Sequence, residues 1–304
     1  MLRVLATDGM DKDAVRELIS MGAEVVQQFY EPEALMEQVR HFDVLVVRSA
    51  TKVRAPVIDA AVDAKRLKMI IRAGVGMDNI DVEYARERRI EVNNTPKASS
   101  ASVAELTIGH MFSIARCIGI ANHTMREGKW EKKAYKGTEL AGKTLGLIGM
   151  GRIAGEVATR AHSLGMRVVY TNRSGHKKEY EPCRRHELYA LLGMSDYVSL
   201  HTPGPKGAPP ILDAAAIAQM KRGAVLINTS RGNMVDVDAV LDALDSGALR
   251  GYGVDVYAQE PCADERLMRN DKVSMTPHVG GSTIEAQWRI GQEIVAHIAR
   301  LAHG

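Results

Sequence analysis

The sequence predicts an α/β protein with two parallel sheets, each covered by helices. Three observations predict it: strand-like runs alternate with helical patterns in two separate series, a glycine-rich turn follows the first strand of the second series, and an amphipathic segment closes the chain. The first series starts with a strand at Val4 to Ala6 and a helix at Asp13 to Met21. It continues with a strand at Asp43 to Arg48, a helix at Pro56 to Ala64 and a strand at Lys68 to Arg72. A long helix over Ala101 to Arg116 joins the two series, with Val103, Leu106, Ile108, Met111, Ile114 and Ala115 at mostly helical spacing and a serine cluster before it that can cap it. The second series has strands at Thr144 to Ile148, Arg167 to Tyr170, Tyr197 to Leu200, Ala224 to Ile227 and Gly251 to Val256. The last segment, Thr283 to Leu301, sets Ile284, Trp288, Ile290, Ile294, Val295, Ile298 and Leu301 along a broad apolar stripe. It is expected to cross back to the first unit and make that unit discontinuous. Thr202-Pro-Gly-Pro-Lys-Gly-Ala-Pro-Pro is too rich in Pro and Gly to be regular.

The chain has 304 residues, enough for two domains that each bury a core. Its 40 basic and 37 acidic residues leave a formal charge of +3, with no long basic stripe of the kind that neutralises a nucleic-acid backbone. Small anionic molecules suit this balance better. Cys117, Cys183 and Cys262 lie far apart without C-x-x-C spacing, so neither a disulfide framework nor a thiolate metal site is expected. The N-terminus becomes charged before any signal-like apolar region builds up, and no run approaches the ~18 apolar residues of a membrane span. The expectation is a soluble, cytoplasmic protein without metal.

Thr144-Leu-Gly-Leu-Ile-Gly149-Met-Gly151-Arg-Ile-Ala154 gives a strand, a tight turn and a helix start in the order a dinucleotide cradle needs. Gly149 permits the turn, Gly151 lets the backbone approach a pyrophosphate, and Ala154 stands where a small residue allows close helix packing. The amides of Arg152 and Ile153 would then point at phosphate from a helix N-terminus. Where an acidic residue would accept from the adenosine ribose and repel a 2′-phosphate, the next strand ends in Asn172, Arg173 and Ser174, with His176, Lys177 and Lys178 close behind. A neutral amide, a cation and a hydroxyl favour NADP(H) over NAD(H).

Arg231 in NTSRGNMVD, Glu260 in DVYAQEP and His278 in TPHVGGST each sit at the end of a strand-like run downstream of that turn. A guanidinium to hold a carboxylate, an imidazole to carry a proton and a carboxylate to tune the imidazole are the groups a hydride-transferring dehydrogenase needs. When hydride leaves the carbon of a secondary alcohol, the hydroxyl proton must pass to a base, and imidazole titrates near operating pH.

The pieces VRSATKV, RAGVGMDNID, NTP with SVAEL, GKTLGLIGMGRIAGEVATR, NTSRGNMVD, DVYAQEP and TPHVGGST follow, in order, a known pattern. It resembles that of the D-isomer-specific 2-hydroxyacid dehydrogenases, and most closely the catalytic half of the D-3-phosphoglycerate dehydrogenases. The resemblance runs from about Asp43 to the last helix. It implies a Rossmann-like cofactor domain inserted into a flavodoxin-like substrate domain, with the active site in the cleft between them. The substrate domain would comprise 1–97 and 283–304, and the dinucleotide domain 98–282, with a dimerisation arm at about 115–140.

Carried onto these positions, the resemblance makes His278 the acid/base, Glu260 its partner and Arg231 the clamp on the substrate carboxylate and carbonyl. Asp255 becomes a cofactor contact near the nicotinamide, Thr202, Thr229 and Ser230 line the cofactor cleft, and Val279 and Gly280 lie beside the histidine. Ala73-Gly74-Val75-Gly76 would offer backbone amides to the substrate carboxylate, its glycines supplying unusual dihedrals. Arg48 and Lys132, the latter in the WEKK stretch of the arm, are the candidates for a substrate phosphate. The implied substrate pair is D-3-phosphoglycerate and 3-phosphohydroxypyruvate in a homodimeric enzyme of serine biosynthesis.

Asn172 with Arg173 departs from that branch and is more like the NADPH-using glyoxylate and hydroxypyruvate reductases, which supply the alternative reading. The Gly204 to Pro210 loop is also atypical. With the sequence ending at Gly304, feedback through a C-terminal regulatory domain is not expected. A dinucleotide-sensing corepressor is the remote alternative, because one branch of the family binds transcription factors.

Overall fold

The computed structural model describes residues 1–204 and 207–303; Pro205 and Lys206 of the Pro/Gly-rich loop, and the terminal Gly304, lie outside the described residues. The chain divides into two compact units, Met1–Ser99 with Gly281–Gly304, and Ser100–Gly280.

The first unit runs β1 (Arg3–Ala6), α1 (Lys12–Ser20), β2 (Glu24–Gln27), α2 (Pro32–Gln38), β3 (Val44–Val47), α3 (Ala55–Asp63), β4 (Met69–Arg72), α4 (Val82–Glu87) and β5 (Glu91–Asn94). All its strand pairs are parallel, in the order β2-β1-β3-β4-β5, which is the flavodoxin-like winding. The central strands read VLVV and MII because helices cover both faces. One face packs Leu45, Val47 and Ile70 under α2 and α3 through Leu35, Val57 and Ile58.

The second unit contains α5 (Ser100–Ala115), α6 (Ile118–Arg126), β6 (Thr144–Ile148), α7 (Arg152–Ser163), β7 (Arg167–Thr171), β8 (Arg184–Arg185), α8 (Leu188–Met194) and β9 (Tyr197–Leu200). It continues with α9 (Ala214–Ala218), β10 (Ala224–Asn228), α10 (Val237–Asp245), β11 (Leu249–Val254), α11 (Glu265–Met268) and β12 (Val273–Met275). Its seven strands are parallel in the order β12-β11-β10-β9-β6-β7-β8, the doubly wound Rossmann arrangement. Helices α5 and α7 cover one face through Met111, Ala154 and Val157, while α8, α9 and α10 cover the other through Leu191, Ile217 and Leu244.

The chain closes with α12 (Ile284–His303), which belongs to the first unit. Its Ile290, Ile294, Val295 and Ile298 fill the second face of that unit's sheet with Val4, Val44, Val46 and Ile71. A Cβ at Gly291 would stand 2.7 Å from the Cβ of Ala14, so glycine sets how closely α12 approaches α1.

Among the described residues no serine side chain bonds the first-turn amides of α5, where a cap was expected. Ser102 Oγ instead donates to the Gly280 carbonyl at 2.5 Å, and Ser100 Oγ is buried without a hydrogen-bond partner. A serine caps only when it precedes the first turn with its hydroxyl over the N2 or N3 amide, and Ser102 already lies inside the helix.

Candidate active site

In the second unit, β6 and β9 are neighbours whose onward connections run in opposite directions across the sheet, which opens a crevice at their C-terminal ends. Gly149 stands there with φ +98°, and a Cβ would lie 2.5 Å from the His201 carbonyl oxygen after β9. Only glycine makes that turn without displacing backbone. Gly151 precedes α7 with an extended φ of −105°, and a Cβ there would meet nothing within 4 Å. In the same unit α9 and α10 are capped by Asp213 and Asp236, whereas among the described residues no side chain caps α7. The amides of Arg152 and Ile153 thus stay without a side-chain acceptor at the positive end of a helix dipole, an arrangement suited to phosphate. Ala154, in the first turn of α7, is fully buried.

At the end of β7, Asn172 Nδ2 donates to Ser174 Oγ at 3.2 Å, and Asn172 Oδ1 is a buried acceptor without a partner among the described residues. Among the described residues Arg173 is exposed and makes no ion pair, while His176 and Lys177 lie 3.7 and 3.8 Å from Glu181 and Glu179. The basic turn is therefore partly neutralised, and among the described residues Arg173 and Lys178 remain its open cations. Burial pushes the His201 imidazole down to about 3, so the ring is neutral; Nε2 meets Ser199 Oγ at 2.9 Å, and Nδ1 is buried without a partner among the described residues. The glycine turn, the uncapped helix and these orphaned atoms fit a dinucleotide.

Arg231, Glu260 and His278 follow β10, β11 and β12, three adjacent strands, on the same C-terminal edge. His278 Nδ1 is 2.7 Å from Glu260 Oε2, and the Tyr257 amide donates to Glu260 Oε1 at 3.1 Å. Burial raises the Glu260 carboxyl, but the His278 hydrogen bond, the Tyr257 amide and the charges of His278 and Arg231 outweigh it and hold Glu260 below its ordinary range. Arg231 is close enough for its charge to act on that carboxylate. Asn228 fixes the arginine loop by donating Nδ2 to the Arg231 carbonyl at 2.9 Å and accepting from the Ser230 amide at 3.1 Å. Ser230 Oγ donates to the Thr202 carbonyl at 3.0 Å. A Cβ at Gly232 would lie 2.0 Å from the Tyr257 carbonyl carbon, so glycine lets the loops after β10 and β11 touch backbone to backbone.

His278 has a φ of +54°, a left-handed conformation that histidine adopts more readily than most residues. Asp255, 1% exposed, holds this loop from both sides: Oδ1 accepts from Thr276 Oγ1 at 2.6 Å and from the Val279 amide at 2.8 Å, and Oδ2 from the Gly280 amide at 2.9 Å. The sequence reading gave Asp255 only a cofactor contact and did not find this clamp. It also missed Tyr257, whose hydroxyl donates to the Thr276 carbonyl at 2.9 Å and is pushed by burial up to about 12. On α5, Thr107 donates to the Val103 carbonyl at 2.9 Å, so the 2.9 Å contact with Thr229 makes Thr229 the donor. Thr107 and His110 are buried polar residues in a mostly apolar helix, and that mismatch was the available signal.

Lys132 lies on the exposed Trp130–Ala134 segment and makes no hydrogen bond or ion pair among the described residues. In the first unit, Asp8 Oδ2 accepts from the amides of Arg48 and Thr51 at 2.6 and 3.2 Å, while Asn79 Nδ2 donates to the carbonyls of Arg48 and Thr51 at 2.6 and 2.7 Å. Arg48 thus starts a loop pinned at both ends. In the neighbouring glycine loop Gly74 takes a φ of +148°, Val75 is exposed with its carbonyl bound by Asn94 Nδ2 at 2.6 Å, and Gly76 is half-exposed. No group of three or more potential metal ligands occurs among the described residues.

Residues 108–280 match the family model for the NAD-binding domain of D-isomer-specific 2-hydroxyacid dehydrogenases. The chain belongs to the D-isomer-specific 2-hydroxyacid dehydrogenase family. It is 45% identical over 300 residues to the hydroxypyruvate reductase of Thermotoga maritima, covering 97% of each chain. It is 40% identical over 316 residues to the D-3-phosphoglycerate dehydrogenase of Methanocaldococcus jannaschii, covering all of this chain but 58% of that one. The chain thus spans a little over half the length of that phosphoglycerate dehydrogenase. An acyclic imino acid reductase solved with NADPH and D-Arg superposes with a TM-score of 0.89 at 28% identity, covering 99% of this chain and 98% of the other. The dehydrogenase is accordingly a nicotinamide-dependent oxidoreductase acting on 2-hydroxy or 2-oxo acids. No single helix among the described residues is long and apolar enough to cross a membrane.

Proposed function

We propose that this dehydrogenase reduces hydroxypyruvate to its D-2-hydroxy acid with NADPH, through Arg231, Glu260 and His278. The observation that carries the reading is the 2.7 Å hydrogen bond between His278 Nδ1 and Glu260, a carboxylate held below its ordinary range by that bond, the Tyr257 amide and the charges of His278 and Arg231. An ionised carboxylate only accepts, so Nδ1 carries the hydrogen and Nε2 is left to give or take the substrate's proton. Glu260 stabilises the imidazolium that holds that proton. Arg231 binds the substrate carboxylate and meets charge developing on the carbonyl oxygen, an effect worth roughly 3 to 4 kcal/mol for one well-placed donor.

A bound nicotinamide supplies the hydride. Gly149, Gly151 and the amides of Arg152 and Ile153 hold its pyrophosphate, and Asn172, Arg173 and Ser174 receive a phosphorylated ribose. Thr202, Thr229, Ser230, Asp255, Val279 and Gly280 complete the contacts. Open Arg173 supports NADPH over NADH, and the NADPH-bound imino acid reductase is a structural relative. Residues 100–280 serve as the dinucleotide domain and the remainder as the substrate domain, with Arg48, Val75, Gly76 and Lys132 toward substrate. Exposed Ile118, Met125 and Trp130 support a homodimer through the arm at about 115–140, and three free cysteines support a cytoplasmic setting.

The whole-length match to a hydroxypyruvate reductase supports the unphosphorylated substrate. Arg48, half-buried on its pinned loop and without an ion pair among the described residues, favours 3-phosphohydroxypyruvate as the second reading. Turnover of hydroxypyruvate, glyoxylate and 3-phosphohydroxypyruvate with each reduced cofactor tests both. The first reading expects the highest kcat/KM for hydroxypyruvate with NADPH; a preference for the phosphorylated acid selects the second, and no turnover of any refutes both.

A further inference from the structure

His110 Nδ1 lies 2.9 Å from Ser274 Oγ and Nε2 lies 3.1 Å from Thr276 Oγ1, with the ring buried on α5 above β11 and β12. A Cβ at Gly253 would stand 2.8 Å from the His110 Cβ, so β11 makes room for this side chain with a glycine. The direction of each bond follows from the last one. Thr276 Oγ1 has one hydrogen, and Asp255 Oδ1 takes it at 2.6 Å. The threonine oxygen can then only accept from His110, so Nε2 must carry the ring hydrogen. Burial lowers the His110 pKa against the opposing pull of Asp255, and the neutral ring has Nδ1 left as an acceptor for Ser274.

We propose that His110 is a positioning residue, and that Ser274, His110, Thr276 and Asp255 form a one-way hydrogen-bond relay that fixes the loop presenting His278. Asp255 binds Thr276 on one side of His278 and the Val279 and Gly280 amides on the other. With Nε2–H aimed at Thr276, the threonine hydroxyl is obliged to face Asp255. Without it, the hydroxyl is free to turn away, Asp255 loses one of its three donors, and the left-handed turn at His278 loosens. The link to catalysis rests on the reading of His278 as the proton carrier; the relay's polarity does not.

Neutron diffraction from deuterium-exchanged crystals of the full chain tests the polarity on the unaltered protein. Deuterium is expected on His110 Nε2, none on Nδ1, and the Thr276 deuterium should point at Asp255. Deuterium on Nδ1 overturns the relay whatever the reaction is. The positioning role is tested with His110→Phe and His110→Gln, the second keeping a donor and an acceptor. The phenylalanine variant should lose about ten- to a hundredfold in kcat, as for a small misplacement of a reacting group. Its cofactor Kd should stay near the parent value, and the glutamine variant should recover most of the rate. Full kcat in the phenylalanine variant, or an equal loss in both folded variants, overturns the positioning role.

Discussion

Replacing Glu260 by glutamine keeps the shape of the side chain and removes its charge, and the structure states what that costs. The carboxylate has an acceptor for each of two donors, the Tyr257 amide on Oε1 and His278 Nδ1 on Oε2. Glutamine has one carbonyl oxygen, so one of the two N–H groups is left facing an NH2. A hydrogen bond to a charged group contributes ~1.5–3 kcal/mol. The side chains are 40% and 35% exposed, so water screens part of this and the loss settles at about 1–2 kcal/mol. That is a fall of about five- to thirtyfold in kcat/KM. The assay is steady-state reduction of hydroxypyruvate, followed by loss of reduced-cofactor absorbance, with thermal unfolding run in parallel. The effect should sit in kcat, because the imidazolium matters most when the proton moves. A variant with native kcat, or one whose loss lies wholly in cofactor binding, refutes the pairing of Glu260 with His278.

The two cradle glycines separate stability from binding. Gly149→Ala must both enter a positive φ and press against the His201 carbonyl, so melting temperature and NADPH affinity should fall together in calorimetry. Gly151→Ala has free space and an ordinary φ, so it should keep its melting temperature and lose NADPH affinity alone; unchanged affinity removes the pyrophosphate from this turn. Gly232→Ala should lower kcat/KM, because the new Cβ meets the Tyr257–Ala258 backbone rather than a movable side chain. At the other end of the sheet, burial raises the Asp196 carboxyl, but Lys221 at 2.6 Å and the Thr144 amide at 2.9 Å outweigh it and hold the group below its ordinary 3.8. Its stabilisation is therefore present above pH 3.8 and is lost as pH falls through the lower folded value. Asp196→Asn should cost about 1–2 kcal/mol near neutral pH by denaturant titration, and the gap to the parent should close in acid.

The interior of both sheets was legible in the sequence because a strand covered on both faces must be apolar throughout. Each of the eight interior strands, β1, β3, β4, β6, β7, β9, β10 and β11, belongs to the two series read from the sequence. The edge strands were harder. β2 is EVVQ, β5 is EVNN and β8 is a pair of arginines, and none stood out in either series; β12 figured only as the run before His278. A strand with one neighbour is shorter and more polar, and its signal merges with loop.

Residues defined by type and place, such as a glycine after a strand or a histidine in a turn, were readable in the same way. Asn228, Tyr257, His110 and Asp8 were not, because their roles lie in bonds to segments far along the chain or to backbone groups without a sequence signature. The α5 serines show the converse. A local capping pattern was present, but Ser102 bonded to Gly280, 178 residues away.

The most direct test of the account is kcat for NADPH-dependent reduction of hydroxypyruvate by the parent and by His278→Ala, with NADPH binding measured on both. The account predicts turnover by the parent, a loss of about 10²- to 10⁴-fold on removing the imidazole, and unchanged NADPH affinity. A parent that turns over this acid at a rate His278→Ala retains would contradict it.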